Sequence, residues 1–230
     1  MIPWIHLDTA DLPNGGQLRL LRRGNEFSIM TGATTLMNSQ MSGSEIALAE
    51  LACDRLRDRK NCRILIGGYG MGFTLRAALA SLGGDARVVV AELVPAAIRW
   101  ALGPMADLTA GCLSDPRVSL REVDVADLIA SARARFDAIL LDVDNGPDGL
   151  TQHANGRLYN LQGLRAARKA LRPGGLLGVW SAAPDVAFRR RLCQAGFAVD
   201  EITARANKGR GGRNVIWIAT HAIQNGRREA

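Results

Sequence analysis

One stretch gives the clearest indication of the fold: Ile64-Leu65-Ile66-Gly67-Gly68-Tyr69-Gly70-Met71-Gly72. An apolar run typical of a buried strand leads into glycines at alternate positions, and residues 73–79 continue with helical character. A strand, a tight glycine turn and a helix open many nucleotide-binding sites, because glycine lets the backbone approach a ligand closely. The stretch therefore predicts a nucleotide-cofactor site whose loop residues are Gly68, Tyr69, Gly70 and Gly72.

An acidic residue follows the glycine loop at an informative distance. Glu92 comes directly after the apolar run 87–91 and lies 20 residues beyond Gly72. About 20 residues is the spacing at which a carboxylate accepts hydrogen bonds from the ribose hydroxyls of a bound nucleotide. The competing interpretation is a glycine turn that serves only strand–helix packing, with an acid nearby by chance. The combined pattern favours the nucleotide site.

The amino-acid composition limits the classes of protein to which the chain can belong. The 230 residues are 47% hydrophobic, which is enough for one domain with a full core. No apolar run reaches the roughly 20 residues that span a bilayer, and the first residues lack the basic start of a signal peptide. The four cysteines and three histidines have no metal-ligand spacing. We therefore expect a cytoplasmic protein with free thiols, no metal and no membrane partner.

The net charge is +7, and arginines cluster late in the chain, at 189–191 and within 205–213. Such clusters fit either a nucleic-acid footprint or a solvated basic surface. No aromatic residues are interleaved with these charges to stack on bases. The sequence therefore favours the solvated surface over a nucleic-acid partner.

The start of the chain differs from the rest. Short strands are predicted there at 17–22, 26–30 and 34–37. A helix is expected from Ser44, a natural N-cap, to about Arg59. We therefore divide the chain into an N-terminal β-hairpin segment, 1–43, and a second domain, 44–230.

From residue 62 onward, strands and helices alternate. The predicted strands are apolar runs at 62–67, 87–92, 118–123, 136–142 and 175–181. The predicted helices lie at 73–82, 95–103, 125–134, 157–171 and 184–195. This alternation is typical of a parallel α/β sheet with helices on both faces. Two final runs, 197–205 and 214–221, have no helix between them, so the doubly wound seven-stranded sheet should end in an antiparallel hairpin.

Five segments carry motifs in a specific order, and they are Gly68–Arg76, Ala91–Leu93, Asp115–Val125, Phe136–Asp142 and Leu171–Gly175. They resemble GGGDGGxLR, V-E-[IL], dpRv…D-[GA], yDvIi-D and L-x-p-G-G of the spermidine synthase-like branch of S-adenosylmethionine (AdoMet) transferases. The resemblance spans residues 35–221. It implies the class I methyltransferase, Rossmann-like fold with a small N-terminal β segment, and AdoMet or decarboxylated AdoMet as cofactor.

The resemblance also implies roles for individual residues. The glycine loop would lie under the methionine part of the cofactor. Glu92, followed by Leu93, would bind the ribose. Asp124 would accept a hydrogen bond from the adenine amino group, and the Val125 amide would donate to a ring nitrogen. Asp142 would face the reacting centre. Each acid has an alternative role as a helix N-cap or a loop acid.

The chain departs from the family pattern at three positions. In aminopropyl transferases the glycine loop carries an aspartate that holds the amino end of decarboxylated AdoMet, and Met71 takes its place here. The second acid after the fourth strand falls on Asn145, and an expected tyrosine falls on Leu48. Asp144 or Asp148 could replace the shifted acid.

These departures favour ordinary AdoMet and methyl transfer to an unidentified small-molecule acceptor such as an amine, with Asp142 and Asp144 as catalytic residues. The alternatives are a polyamine aminopropyltransferase that uses decarboxylated AdoMet, and a non-catalytic AdoMet-binding module. Trp180 is interpreted as a core residue rather than a pocket residue. The resemblance further implies a homodimer.

Overall fold

A computed structural model describes residues 2–13, 15–143, 156–207 and 210–221. Its strands are β1 (Ile5–Asp11), β2 (Gln17–Arg23), β3 (Glu26–Thr31), β4 (Thr34–Asn38), β5 (Arg63–Gly67), β6 (Arg87–Ala91), β7 (Val118–Arg121), β8 (Phe136–Leu141), β9 (Leu171–Ser181), β10 (Ala198–Asn207) and β11 (Arg210–Thr220). Its helices are α1 (Gly43–Arg55), α2 (Phe73–Ser81), α3 (Pro95–Leu102), α4 (Ala106–Thr109), α5 (Val125–Ser131), α6 (Gly156–Tyr159), α7 (Leu161–Ala170) and α8 (Val186–Gln194), with a 3-10 turn at Cys112–Ser114.

Seven strands form the main sheet, in the order β10-β11-β9-β8-β5-β6-β7. The strands from β9 to β7 pair in parallel, whereas β11 is antiparallel to both of its neighbours. Every residue of the central strand β8 is buried, because helices pack on both faces of the sheet. The predicted doubly wound, mostly parallel sheet with an antiparallel end is confirmed.

The N-terminal segment forms a separate antiparallel sheet, ordered β1-β2-β3-β4. Its buried residues Leu20 and Ile29 share a hydrophobic core with Met71 and Trp100 of the second domain. The strand β1 lies before residue 17, in a segment where the sequence pattern predicts no strand. The division at residue 43 stays a prediction, since the small sheet packs directly on the larger unit.

Two helix boundaries differ from the sequence prediction. The helix expected over 157–171 is divided at Asn160, whose Oδ1 accepts a hydrogen bond from the Gly163 amide at 2.9 Å and caps α7. Ser44 lies inside the first turn of α1, and the N-cap position is Ser42. The Ser44 hydroxyl instead donates to the carboxyl group of Glu45 at 2.7 Å, which fixes that side chain at the start of the helix.

Candidate functional site

A cavity lies at the carboxyl ends of β5, β6 and β8, where open α/β sheets bind their ligands. Apolar residues of the N-terminal sheet, including Leu18 and Ile29, form its opposite wall. The predicted site residues that line it are Gly68, Gly70, Glu92, Leu93, Asp124, Val125 and Asp142. The cavity therefore brings together residues that lie up to 74 positions apart in the chain.

The glycine loop brings the backbone close to the end of β8. Gly68 has a φ of 85°, and a Cβ atom there would collide with the carbonyl oxygen of Asp142. Gly70 also has a positive φ, and the sulfur of Met37 occupies the space that a side chain would need. The backbone contact therefore requires glycine at position 68, and the positive φ favours glycine at position 70. Gly72 is the N-cap of α2 and does not line the cavity.

Two other loop residues face away from the cavity. Tyr69 is buried, and its hydroxyl lies 3.5 Å from the sulfur of Cys112, so the side chain packs into the core and does not cover a ligand. Met71 is fully buried in the core shared with the N-terminal sheet. Because Met71 does not line the cavity, its apolar character gives little information about the charge of the ligand.

Glu92 is held rigidly by the loops on either side of it. Its Oε1 accepts a hydrogen bond from the Val94 amide and its Oε2 one from the Tyr69 amide, both at 2.8 Å. Burial raises the pKa of Glu92, and these amides oppose the shift. Each carboxylate oxygen can accept more than one hydrogen bond, so both remain able to accept from a ligand. The Tyr69 residue thus contributes to the site through its backbone.

Asp124 has structural partners in addition to the cavity that it lines. Its Oδ1 accepts from the Ala126 amide at 2.7 Å, which caps α5, and its Oδ2 pairs with Arg157 at 2.6 Å. The alternative role as a helix N-cap is therefore present in the structure. The role in adenine binding, together with the Val125 amide, stays a prediction.

Asp142 shares the cavity with a second carboxyl group, to which the sequence pattern assigns no role. Glu45, in the first turn of α1, is 7% exposed and lines the same cavity. Thr74 Oγ1 donates to Asp142 Oδ2 at 2.8 Å and lies 3.4 Å from the Glu45 carbonyl oxygen. Glu45 lies three residues before Leu48, the position of the expected tyrosine, and this proximity is the signal that could have identified it.

The two carboxyl groups influence each other's protonation. Burial, with the Asp142 carboxylate as a further cause, raises the pKa of Glu45 to about 7. Burial raises the pKa of Asp142 to about 6, against the lowering effect of the Thr74 hydrogen bond. The pair therefore retains a proton closer to neutrality than isolated carboxyl groups would.

Trp180 differs from the sequence interpretation. It lines the cavity at the carboxyl end of β9 and is only partly buried. Its indole nitrogen is shielded from solvent and has no hydrogen-bond partner among the described residues. An aromatic ring with an unused N–H donor can bind a ligand by cation–π attraction or by a hydrogen bond.

The cavity is acidic although the protein carries a net charge of +7. Four carboxyl groups line it, and they belong to Glu45, Glu92, Asp124 and Asp142. No Lys, Arg or His side chain is among the described residues of the lining. Arg157 neutralises Asp124 from outside. Buried carboxylates without a cation are costly, so the chemistry of this cavity suits a positively charged ligand.

The remaining predictions concern Asp144, metal ligands, membrane spans and the cysteines. Asp144, the second predicted catalytic residue, lies outside the described residues, as do Asn145 and Asp148. Across the part of the chain that the structure describes, no group of three His, Cys, Asp or Glu side chains could hold a metal ion. In the same part, no helix is long and apolar enough to cross a membrane. All four cysteines are free.

The chain is similar in sequence to polyamine aminopropyltransferases. Those of Mycobacterium tuberculosis (strain H37Rv) and Mycobacterium bovis are each 34% identical to it over 145 residues, which are 59% of this chain and 27% of the relative. The chain thus matches about a quarter of the length of these curated relatives. No family model matches it.

Solved structures resemble the whole fold. A spermidine synthase in complex with the transition state analogue AdoDATO has a TM-score of 0.76 at 16% identity, over 95% of this chain and 73% of that one. Spermidine synthase from Thermotoga maritima has a TM-score of 0.74 at 16% identity, over 95% and 74%. The CurJ carbon methyltransferase is more distant, with a TM-score of 0.52 at 13% identity, over 77% and 54%. The chain therefore has the spermidine synthase-like fold of the class I AdoMet-dependent transferases.

Proposed function

We propose that this protein is an aminopropyl transferase, which moves the aminopropyl group of decarboxylated AdoMet to a small amine. The observation that carries the proposal is the cavity lined by four carboxyl groups and, among the described residues, by no basic side chain. Decarboxylated AdoMet carries a sulfonium and an ammonium, and an acceptor amine adds further positive charge. An acidic cavity would attract all of these groups.

Methyl transfer from ordinary AdoMet is the second candidate, and it receives less support. AdoMet keeps a carboxylate, which would have to lie among the cavity's carboxyl groups without a described basic partner. The sequence argument for AdoMet rests on Met71, and Met71 faces the N-terminal core instead of the cavity. The named relatives in sequence are aminopropyltransferases, and the methyltransferase is the more distant structural neighbour.

The proposed reaction is a displacement at carbon. The acceptor nitrogen, in its neutral form, attacks the methylene carbon bound to the sulfonium. A carbon–nitrogen bond forms, the carbon–sulfur bond breaks, and its electron pair goes to sulfur to give the neutral thioether 5′-methylthioadenosine. The new ammonium then loses one proton, for which Asp142 is the proposed acceptor. Glu92 would hold the ribose and so place the sulfonium in line with the attacking nitrogen.

Turnover provides the test of this function. The purified protein is incubated with decarboxylated AdoMet and putrescine, and products are followed by mass spectrometry. Formation of spermidine and 5′-methylthioadenosine in equal amounts is expected. A methylated amine from AdoMet, with no aminopropyl product, would instead support methyl transfer. Binding without either product would support the non-catalytic module.

The homodimer implied by the family resemblance stays a prediction, and sedimentation velocity measures the oligomeric state.

A further inference from the structure

We propose that Glu45 and Asp142 together form a receptor for one ammonium group of the cationic substrates, and that the pair holds a proton in its place when the cavity is empty. The inference rests on the proposed function, because it assumes an amine-bearing ligand. It assigns a role to Glu45. This residue lies on α1 and not at the end of a strand, so the sequence pattern predicts no function for it.

The Glu45 carboxyl group is oriented by a chain of hydrogen bonds. Asn214 Nδ2, on β11, donates to Ser44 Oγ at 2.9 Å, and Ser44 Oγ donates to Glu45 Oε2 at 2.7 Å. The Glu45 side chain is buried and lines the cavity, and its own backbone amide is a further hydrogen-bond donor to the carboxyl group. Each carboxylate oxygen can accept more than one hydrogen bond, so a carboxyl group held in this way beside a cavity can accept a hydrogen bond from a bound ammonium group.

Asp142 is oriented toward the same place by α2. Thr74 Oγ1 occupies one side of Asp142 Oδ2, and this is the hydrogen bond that the carboxyl group accepts among the described residues. No described Lys or Arg forms an ion pair with Glu45 or Asp142. The other ionisable groups that line the cavity, Glu92 and Asp124, are also acidic. Nothing described in the protein itself therefore balances a second negative charge on the pair.

Two carboxyl groups in this position have two ways to avoid like-charge repulsion. In the empty cavity a proton neutralises one of them, in keeping with their raised pKa values. An ammonium group supplies both a positive charge and several N–H donors, so it can replace the proton and bind both carboxylates. Binding of the cation should therefore release a proton near neutral pH.

Calorimetric titration tests this exchange. At pH 6.5, wild-type protein is titrated with decarboxylated AdoMet and, separately, with neutral 5′-methylthioadenosine, each in two buffers of different ionisation enthalpy. A release of about half a proton or more is expected with decarboxylated AdoMet and almost none with 5′-methylthioadenosine. A third titration adds putrescine to protein saturated with 5′-methylthioadenosine, which distinguishes an acceptor ammonium from a donor ammonium.

The variant Glu45→Gln supplies the second readout, with Glu50→Gln, an exposed position on the same helix, as the matched control. Glu45→Gln should weaken binding of decarboxylated AdoMet or putrescine by about tenfold or more, reduce proton release by about half or more, and leave 5′-methylthioadenosine affinity within about twofold. Unchanged affinity for both cations in Glu45→Gln, or no proton release in wild type, would overturn the role of Glu45 and leave the proposed function intact. Failure of wild type to bind any of the three ligands would overturn both.

Discussion

The Glu92 carboxyl group stabilises the glycine loop and also lines the cavity. Its two oxygens accept hydrogen bonds from the amides of Tyr69 and Val94, so it fixes the glycine loop to the end of β6. A substitution that removes the carboxylate therefore affects both the loop and the predicted ribose contact. Replacement by alanine would leave two buried amides without partners, which confuses loss of binding with loss of stability.

Glu92→Gln is the cleaner substitution, because glutamine keeps the shape and one acceptor oxygen. Its NH2 group would meet one backbone N–H, so we expect about 1–3 kcal/mol of destabilisation and at least about a tenfold loss of 5′-methylthioadenosine affinity. Calorimetry and urea unfolding measure the two effects. Glu122→Gln, at an exposed position, is the control and should change neither. Unchanged nucleoside affinity in Glu92→Gln would remove the ribose assignment.

Glu45 should make stability depend on pH in a definite direction. Its pKa is raised from 4.5 to about 7 in the folded protein, so the folded state binds more protons than the unfolded state between these values. The stability associated with the protonated carboxyl is present below about pH 4.5 and is lost as the pH rises through about 7. Glutamine has no proton to lose.

We therefore expect Glu45→Gln to be more stable than wild type by about 1–3 kcal/mol at pH 8, with the difference shrinking toward zero below pH 5. Urea unfolding at pH 5 and pH 8 measures this difference, and Glu50→Gln should match wild type at both. If Glu45→Gln is as stable as wild type at both pH values, or less stable than wild type at pH 8, ionisation of the Glu45 carboxyl group does not destabilise the folded protein.

The turn between β5 and α2 shows what a sequence pattern can establish about an element. Alternate glycines after an apolar strand predict the turn because the chemistry is local: Gly68 needs a positive φ and space beside Asp142. The carboxyl ends of parallel strands are predictable for the same reason, and Glu92 and Asp142 both follow such strands. The cap at Asn160 is a local contact with Gly163, and the leucines at 158, 161 and 164 hide it because they continue one apolar helix face across it. The strand β1 is missed because it depends on pairing with β2.

Gly68→Ala tests the turn directly. A Cβ atom at a φ of 85° and against the Asp142 carbonyl should destabilise the protein by about 2–4 kcal/mol and separate the ends of β5 and β8. Gly84→Ala is the matched control, since no atom lies within 4 Å of its added Cβ. Thermal or urea unfolding compares the two. A Gly68→Ala protein as stable as Gly84→Ala would mean that the loop does not approach β8 this closely.

At the scale of the whole molecule, the N-terminal sheet and the main sheet enclose an acidic cavity in a basic protein. The sequence predicts the parallel sheet, its antiparallel end and the edge at which ligands bind, because these follow from the alternation of strands and helices and from strand direction. It does not predict which side chains from outside that edge reach the cavity. Glu45, Met37 and Trp180 enter from α1, β4 and β9, and only the packed structure reveals that they line it.

This difference changes the functional conclusion. In the glycine loop, Met71 takes the place of an aspartate that would bind an ammonium group. This replacement, considered alone, favours ordinary AdoMet as the ligand. In the folded protein Met71 belongs to the N-terminal core, and four carboxyl groups from outside the glycine loop line the cavity. The charge of the complete cavity, and not one position in its loop, therefore supports the choice of decarboxylated AdoMet in the proposed function.

The most direct test is a comparison of affinities for AdoMet and decarboxylated AdoMet, which differ by one carboxylate. Calorimetric titration of the purified wild-type protein at pH 8, where Glu45 and Asp142 are both expected to be ionised, measures them under the same conditions. We expect decarboxylated AdoMet to bind at least about tenfold more tightly. Equal affinities, or tighter binding of AdoMet, would contradict the assignment of this cavity to a purely cationic ligand.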